Sequence, residues 1–354
     1  MKLKKTVAAA ATAAALLLGA GHATAEQINW VYSNGYAKDH FQTGLLADEF
    51  FKRIEAETDG RLKIRHVAGG ALLKPENTIE GVRGKVANLG STVVSFFPGQ
   101  LPISATLASL VDLRYGNSLT LEQVAGLTSA LLEDVPEFSA EYEKQGLKPL
   151  LFVPSPAYAI ISTEPITGLD DLQSKKIRTL GNVLPKLMEA AGAVPLSVAF
   201  GEVYTSLQTG VLDGAMTDPP AMLNAKFPEV AKNLLTTGPG AGAFTAIAPV
   251  AFVVNLEDWN ALPDDIRAAV TKVAADMAPI ASEQVKEFAG KAFGQLEEAG
   301  VSIHHLSQAD TDALAAKAPD FLALAVDVLN ENGLRGEEII AKYKSIADSY
   351  VKGQ

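Results

Sequence analysis

Cysteine is absent from the 354-residue sequence, and histidine occurs only five times. The absence of cysteine excludes disulfide bonds, thiolate metal ligands and thiol nucleophiles. Small exported domains depend on disulfides because their cores are small, so a chain without disulfides must bury a larger core. The length is sufficient for two domains of ordinary size. We therefore expect two domains that are stabilised by apolar burial alone.

A long apolar run of the kind that spans a membrane is also missing. The apolar stretch from Val7 to Leu18 is short, follows three lysines and precedes Ala23-Thr24-Ala25. A basic start, a short apolar core and an A-x-A site predict a secretory signal peptide over residues 1–25. No cysteine is available near that site for a lipid anchor. The sequence predicts a mature protein that begins near Glu26, is periplasmic and does not insert directly into the membrane.

Basic residues are outnumbered, since 30 Lys and Arg stand against 41 Asp and Glu for a net charge of −11. Loss of the three lysines in residues 1–25 takes the charge of the mature protein from −11 to −14. A negative protein of this kind is repelled by nucleic acid and by anionic membrane surfaces. We expect no nucleic-acid partner.

Residues that form catalytic centres or metal sites are sparse. The nucleophile-elbow pattern G-x-S-x-G does not occur. The adjacent histidines His304 and His305 fall on a predicted strand, where neighbouring side chains face opposite sides. Asp213 and Asp218 are a candidate carboxylate pair, but Asp213-Gly214 favours a turn. The sequence predicts no catalytic residue, no metal site and no cofactor, and leaves the role of Asp218 open.

Apolar periodicity alternates between strands and helices along the mature chain. A first strand is predicted in residues 26–40, and Leu46, Phe50 and Ile54 then recur at helical spacing. A second series of strands and helices begins near Pro154. This order predicts an α/β fold in which each domain has a mostly parallel sheet flanked by helices.

The longest predicted element is a helix that starts at Pro263 and ends at Gly300. About 35 residues at about 1.5 Å each give a length near 50 Å, which exceeds the diameter of one domain. We expect this helix to cross both domains, with Pro279 as the point where it kinks. The predicted division is 26–154 and 244–283 for domain I, and 155–243 and 284–354 for domain II.

Arg178 is the candidate binding residue with the clearest chemistry. It lies in the stretch KKIRTLGN, residues 175–182, where a strand leads through a Gly-Asn turn into a helix. An arginine fork pairs with a carboxylate through two hydrogen bonds, and ligands of open α/β sheets bind beyond the carboxyl ends of strands. The alternative is a surface arginine in a structural ion pair. These eight residues alone favour the ion pair.

A longer stretch, Asp170 to Met216, resembles the extracytoplasmic solute-binding proteins of tripartite ATP-independent periplasmic (TRAP) transporters. The resemblance rests on Asp171-Leu172, Lys176-Ile177-Arg178, Gly192-Ala193-Val194-Pro195, Phe200-Gly201-Glu202-Val203-Tyr204, Leu207-Gln208-Thr209-Gly210 and Asp213-Gly214. Weaker similarity extends over most of the mature chain. The resemblance implies a two-domain fold of the periplasmic-binding-protein type that is not an enzyme and delivers a solute to the membrane subunits of a transporter. It also implies that Arg178 pairs with a ligand carboxylate between the domains.

The sequence departs from many relatives at positions that the resemblance places around the ligand. Tyr158 stands where many relatives carry a second arginine, and Phe244 stands where they often carry a polar residue. Thr217 replaces an asparagine and is followed by Asp218, so both are candidates to bond a hydroxyl or amine of the ligand. With Phe96, the aromatic residues predict an apolar pocket. One arginine in such a pocket fits a small carboxylate, namely a monocarboxylate such as a 2-oxo, 2-hydroxy or aromatic acid.

Topology adds further candidates, because ligands of such folds are met by the loops that follow strands. These candidates are Asn34, Tyr36, Gly70 and Phe96 after the strands of domain I, and Asn182 in the turn after Arg178.

Two other functions stay open at this point. One is an exported hydrolase or lyase that uses Asp218 and Arg178, although a histidine or metal set to support it is missing. The other is a co-receptor that presents a closed complex to a membrane sensor, with the same fold and the same site.

Overall fold

A computed structural model describes residues 27–108, 110, 119–181, 184–236 and 249–352. The predicted signal peptide, the predicted ligand residues Asn182 and Phe244, and the boundary at residues 243–244 lie outside these residues.

Five strands form the first sheet, in the order β2-β1-β3-β10-β4. Their bounds are β1 Ile28–Ser33, β2 Leu62–Val67, β3 Leu89–Val93, β4 Leu147–Val153 and β10 Val250–Asn255. The second sheet has six strands in the order β11-β9-β5-β8-β6-β7. These are β5 Ala159–Ser162, β6 Lys176–Thr179, β7 Val194–Ser197, β8 Gly214–Thr217, β9 Asn233–Thr236 and β11 Ser302–His305.

Each sheet contains one strand that runs against both of its neighbours. β10 is antiparallel to β3 and β4, and β5 is antiparallel to β8 and β9, while the other strands of each sheet are mutually parallel. Both reversed strands are the first to enter their sheet after the chain has left the other one. They are not reached through a strand-helix-strand crossover within one sheet, which is the connection that parallel neighbours require. The predicted α/β class is confirmed.

Thirteen α-helices within the described residues cover the sheets. They are α1 Leu46–Glu57, α2 Thr78–Arg83, α3 Pro102–Ala108, α4 Leu121–Asp134, α5 Pro136–Lys144, α6 Leu184–Ala190, α7 Val203–Gln208, α8 Pro219–Asn224, α9 Leu256–Asn260, α10 Asp264–Glu298, α11 Gln308–Lys317, α12 Phe321–Glu331 and α13 Gly336–Lys352. A π-helix, Phe41–Leu45, precedes α1, and 3₁₀ turns occur at Pro75–Asn77, Val94–Phe96, Leu169–Leu172, Phe200–Glu202 and Phe227–Glu229. Within those ranges, no helix combines the length and the apolarity that a bilayer span requires.

The helix α10 joins the cores of the two sheets. Ile266, Val270 and Val285 are buried in the apolar cluster around the first sheet, and Leu296 is buried in a cluster around the second. At about 1.5 Å per residue its 35 residues span about 50 Å, so the prediction of one helix that crosses both parts is confirmed. The helix continues through Pro279 without a break in its assignment.

The C-terminal segment contacts α4 and α5 through a hydrogen bond and an ion pair. Gln123 donates a side-chain hydrogen bond to the carbonyl of Tyr350 at 3.4 Å, and Arg335 forms an ion pair with Glu137. The sequence-based division assigned residues 284–354 to domain II. These bonds connect that segment to residues of domain I as well.

Glu141 is a buried carboxylate that caps the start of α3. It accepts hydrogen bonds from the backbone N–H groups of Ile103 (2.8 Å) and Ser104 (2.9 Å), and from the Ser104 hydroxyl. Burial nevertheless raises the pKa of Glu141 from 4.5 to about 7. A raised folded-state pKa means that the folded protein retains a proton which the unfolded chain releases between pH 4.5 and 7. The stability contribution of Glu141 therefore falls as pH rises through this window.

We expect Glu141→Gln to remove this pH dependence. Relative to the variant, the wild type should lose on the order of 2 kcal/mol of unfolding free energy between pH 5 and pH 8. Urea unfolding of both proteins at pH 5, 6, 7 and 8 measures the difference. Parallel stability profiles for the two proteins would contradict the assignment.

Candidate ligand-binding site

Arg178 is a buried cation that has no carboxylate partner among the described residues. It is the third residue of β6 and is 3% exposed. Its Nε donates to the carbonyl of Val198 at 3.2 Å, and Nη1 donates to the carbonyl of Met216 at 3.4 Å. Among the described residues, no acidic side chain forms an ion pair with it and Nη2 makes no hydrogen bond. The alternative of a surface arginine in a structural ion pair is therefore wrong.

Aromatic rings from both sheets meet beside this guanidinium. The guanidinium carbon of Arg178 lies 5.9 Å from the centre of the Phe200 ring, which is within cation–π range. The ring of Tyr36, from the loop after β1, lies 5.8 Å from the Phe200 ring, which follows β7. These rings close the gap between the two sheets over Arg178.

A cavity of about 30 Å³ lies beneath these rings. By the volume that a water molecule needs, it holds roughly one or two waters. From the first sheet and its loops it is lined by Tyr36, His40, Gln42, Thr43, Val93, Phe96, Ser155 and Val250, and from the second by Tyr158, Arg178, Leu180, Phe200, Thr217, Asp218 and Ala221. Apolar and aromatic side chains form most of this lining, with Arg178 and Asp218 as the charged groups among the described residues.

Asp218 owes its position to the two prolines that follow it. A residue before proline is restricted to extended backbone, and proline suits the first turn of a helix. Asp218 is accordingly extended (φ −79°, ψ 148°), and its carboxylate caps α8 by accepting from the N–H of Ala221 at 2.9 Å. The pairing of Ala159 with Thr217 in antiparallel β5 and β8 places Tyr158 opposite Asp218.

Burial dominates the electrostatics of the cavity. It raises the pKa of Asp218 to about 6 and raises the pKa of both Tyr36 and Tyr158 above the ordinary tyrosine range. It also lowers the pKa of His40 to about 3, so this imidazole is neutral at pH 7. At neutral pH the charged groups are therefore Arg178 and, for the most part, Asp218.

The π-helix brings Gln42 and Thr43 into the lining. His40 begins it by accepting a hydrogen bond from the backbone N–H of Thr43. Gln42 donates to the carbonyl of Pro154 at 2.7 Å and to the Ser155 hydroxyl at 3.3 Å, so it holds the segment where the chain passes from the first sheet to the second. A π-helical turn often marks a functional site, and here it places two polar residues in the lining of the cavity.

A larger cleft of about 480 Å³ lies outside the aromatic rings. Tyr36, His40, Phe200 and Ala221 line both this cleft and the inner cavity, and Gly70 and Lys74 line the outer cleft alone. The two spaces therefore adjoin at the Tyr36–Phe200 contact.

The structure brings most of the sequence-predicted site residues together. Those that line the cavity are Tyr36, Phe96, Tyr158, Arg178, Thr217 and Asp218. Gly70 lies at the outer cleft. Asn34 does not line either space, because it is fully buried behind the site, where it donates to the Thr43 carbonyl at 2.7 Å and accepts from the Tyr36 N–H at 2.8 Å. The prediction of Asn34 as a ligand residue is thus corrected to a role in positioning the loop.

Sequence reasoning missed the lining residues whose neighbours along the chain give no sign of a site. These are His40, Gln42, Thr43, Val93, Ser155, Leu180, Phe200, Ala221 and Val250. Phe200 could have been predicted, because it is the first residue of the FGEVY motif that directly follows the predicted strand β7.

The residue pattern also matches a known family. Residues 33–323 match the family described as bacterial extracellular solute-binding protein, family 7. The chain belongs to this family. It is similar to the C4-dicarboxylate-binding periplasmic protein DctP of Rhodobacter capsulatus, with 29% identity over 297 residues that cover 83% of this chain and 85% of the relative.

Solved structures of the TRAP type share the fold of this family member. A marine metagenome TRAP solute-binding protein specific for aromatic acid ligands, solved with 3-hydroxybenzoate, has a TM-score of 0.81 at 21% identity, over 92% of this chain and 99% of that chain. A Bordetella pertussis extracytoplasmic solute receptor that binds pyroglutamic acid has a TM-score of 0.71 at 22% identity. The match covers 89% of this chain and 99% of that chain. The predictions of a TRAP-type solute-binding protein and of its two-domain fold are confirmed.

Proposed function

We propose that this solute-binding protein captures a small monocarboxylate with a compact apolar or aromatic body and delivers it to the membrane subunits of a TRAP transporter. The observation that carries the proposal is the buried guanidinium of Arg178, which has no acidic partner among the described residues. A buried charge is costly unless it is paired. A ligand carboxylate supplies that pair through two charge-assisted hydrogen bonds.

The lining supports one carboxylate rather than two. Arg178 is the one cationic residue that the described part of the inner cavity contains, and Tyr158 occupies the position of a second arginine. The lining also includes the apolar side chains of Val93, Phe96 and Leu180. Such walls favour the body of an aromatic acid or of a 2-oxo or 2-hydroxy acid with an apolar side chain.

The ligands of related proteins fit this class. Aromatic acids are bound by the marine metagenome protein, and pyroglutamic acid is bound by the Bordetella protein. Both ligand types carry one carboxylate on a small ring. The Rhodobacter relative is named for C4-dicarboxylates, and the single cation of the inner cavity argues against that ligand class for this chain.

Binding requires the two sheets to part and close again. An inner cavity of about 30 Å³ is far smaller than the roughly 300–1,000 Å³ of typical small-molecule sites. The Tyr36–Phe200 contact separates it from the outer cleft, so a ligand enters when this contact opens. A ligand that bridges Arg178 and the opposite wall then stabilises the closed form, which is the form that membrane subunits recognise.

We also infer that the protein is not an enzyme. A hydrolase or lyase built on Asp218 and Arg178 needs a base or nucleophile within reach of the substrate. His40, the histidine of the cavity, is buried and bonded through Nδ1 to the Thr43 hydroxyl at 3.1 Å, while one oxygen of Asp218 caps α8. Recovery of an unchanged ligand after prolonged incubation is the expected result.

We propose that residues 1–25 are a signal peptide that directs the protein to the periplasm, which the names of its periplasmic relatives support. The division into 26–154 with 244–283, and 155–243 with 284–354, is supported by the separation of the strands into two sheets.

A thermal-shift screen of residues 26–354 tests the proposed ligand class. The panel contains 3-hydroxybenzoate, pyroglutamate, lactate and pyruvate, the dicarboxylates succinate and malate, and the neutral analogue benzamide. We expect at least one monocarboxylate to stabilise the protein, by about 2.7 kcal/mol at 100 times its dissociation constant. Stabilisation by dicarboxylates or benzamide alone overturns the proposal.

A further inference from the structure

Two opposite charges line the inner cavity without pairing. Arg178 is 3% exposed and Asp218 is 7% exposed, and no ion pair joins them. The Nη1 of Arg178 bonds the carbonyl of Met216, two residues before Asp218, so the two groups lie near the same end of β8. Buried opposite charges normally pair where they can, and this pair is held apart by separate bonds to the backbone.

The carboxylate of Asp218 has capacity for a further donor. Its Oδ1 accepts a hydrogen bond from the backbone N–H of Ala221. No side chain within the described ranges donates a hydrogen bond to the carboxylate. Tyr158 lies opposite it in the strand register, and Tyr36 lies within electrostatic range of it. A carboxylate can accept about four hydrogen bonds, so most of its capacity remains for a ligand.

We infer that Asp218 selects, among monocarboxylates, those whose body carries an N–H or O–H donor in addition to the carboxylate. The inference rests on the proposed function, since it takes Arg178 as the anchor for the ligand carboxylate. A ligand of this type satisfies both buried charges at once. A ligand without the donor neutralises Arg178 and leaves the buried Asp218 carboxylate with the bond from the Ala221 N–H but no donor from the ligand.

The ionisation state of Asp218 also supports its inferred role as the acceptor for a ligand donor. Burial raises its pKa only to about 6, so the carboxylate is mostly ionised at pH 7 and acts as an acceptor. Sites that hydrogen-bond a ligand group discriminate strongly against analogues that lack it, because the polar group of the site is left unpaired.

Matched pairs of ligands test the inference directly. Isothermal titration at pH 7.5 compares 3-hydroxybenzoate with 3-methoxybenzoate, and pyroglutamate with N-methylpyroglutamate. Each pair keeps the carboxylate and the ring; methylation removes the donor and adds one methyl group, so the Asp218 variants below are needed to separate the two effects. For the ring type that binds, we expect the donor-bearing acid to bind about 10- to 100-fold more tightly.

Two variants of Asp218 assign the discrimination to this residue. Serine and asparagine are both good N-caps, so Asp218→Ser and Asp218→Asn preserve the cap of α8 and the fold. We expect the preference for the donor to fall below about threefold in Asp218→Ser. In Asp218→Asn the side-chain amide can donate a hydrogen bond. We therefore expect 3-methoxybenzoate to bind this variant more tightly than it binds the wild type.

The pH dependence gives an independent readout. Binding of the donor-bearing acid should strengthen from pH 5 to pH 7 and level off above, because the ionised carboxylate is the better acceptor. The other titratable or charged groups around the cavity and its mouth are Tyr36, His40, Lys74, Glu76, Tyr158, Arg178 and Glu202. The pH dependence of ligand affinity is assigned to Asp218 only if Asp218→Asn abolishes it.

The outcomes separate the inference from the proposed function. Equal binding of both members of a pair, or unchanged discrimination in Asp218→Ser, overturns the role of Asp218 while the anchor at Arg178 stands. A wild type that binds no monocarboxylate of the thermal-shift panel overturns the proposed function and the inference with it.

Discussion

Replacement of Arg178 by alanine should abolish ligand-induced stabilisation. The variant loses two charge-assisted hydrogen bonds and leaves the ligand carboxylate buried without a cation. Each effect is worth about 1.5–3 kcal/mol, so affinity should fall by at least about 100-fold. Isothermal titration of the variant with the best monocarboxylate from the thermal-shift screen measures the loss.

The stability of the unliganded variant separates binding from structure. Arg178 is buried with two backbone hydrogen bonds and no ion pair among the described residues, so its charge costs free energy in the unliganded protein. We expect the melting temperature of unliganded Arg178→Ala to equal or exceed that of the wild type. A strongly lowered melting temperature would show that the arginine is a structural element.

Arg178→Lys provides the matched control for charge. Lysine keeps the positive charge but lacks the planar fork that pairs with a carboxylate through two hydrogen bonds. Intermediate affinity is the expected result. Wild-type affinity in this variant would mean that a point charge suffices and that the bidentate geometry is irrelevant.

Substitution of Gly44 by alanine should cause the largest loss of stability near the site. Gly44 lies in the π-helix, and a Cβ added there would lie 2.0 Å from the carbonyl oxygen of Lys38. The obstacle is backbone, so the turn has to move. Overpacking of this kind costs about 1–3 kcal/mol or more. Because the same turn carries Gln42 and Thr43, ligand affinity should fall as well.

Gly290→Ala is the matched control for this substitution. Gly290 lies inside α10, and a Cβ added there meets nothing within 4 Å. Alanine is the better helix former by about 1 kcal/mol, so this variant should be slightly more stable than the wild type and bind ligand normally. Urea unfolding of both variants gives the comparison. A Gly44→Ala protein as stable as the wild type would contradict the predicted clash.

Local patterns in the sequence were sufficient for the fold class, and the resemblance to a family singled out Arg178 as the proposed anchor. The alternation of strands and helices predicted the α/β fold, and the uninterrupted pattern after Pro263 predicted the helix that joins both cores. The K-I-R motif at the end of a predicted strand pointed to Arg178. These features depend on neighbours within a few residues, where backbone propensity and side-chain periodicity operate.

Only the tertiary structure decided which groups meet at that anchor. Gln42 bonds Pro154 across 112 residues of sequence, and no local pattern announces such a contact. Asn34 lies in a loop after a strand, where a ligand residue is expected. Its side-chain amide instead bonds the carbonyl of Thr43 and the N–H of Tyr36 behind the site.

The sequence by itself determined that a disulfide-free α/β protein carries an arginine at the mouth of a strand. It also determined the local geometry of Asp218, because two following prolines fix the backbone and start a helix. That Arg178 and Asp218 face one small cavity, without an ion pair to any described residue, was decided by folding alone. Burial and pairing depend on segments that are distant along the chain, and their cost is defined only once those segments have packed.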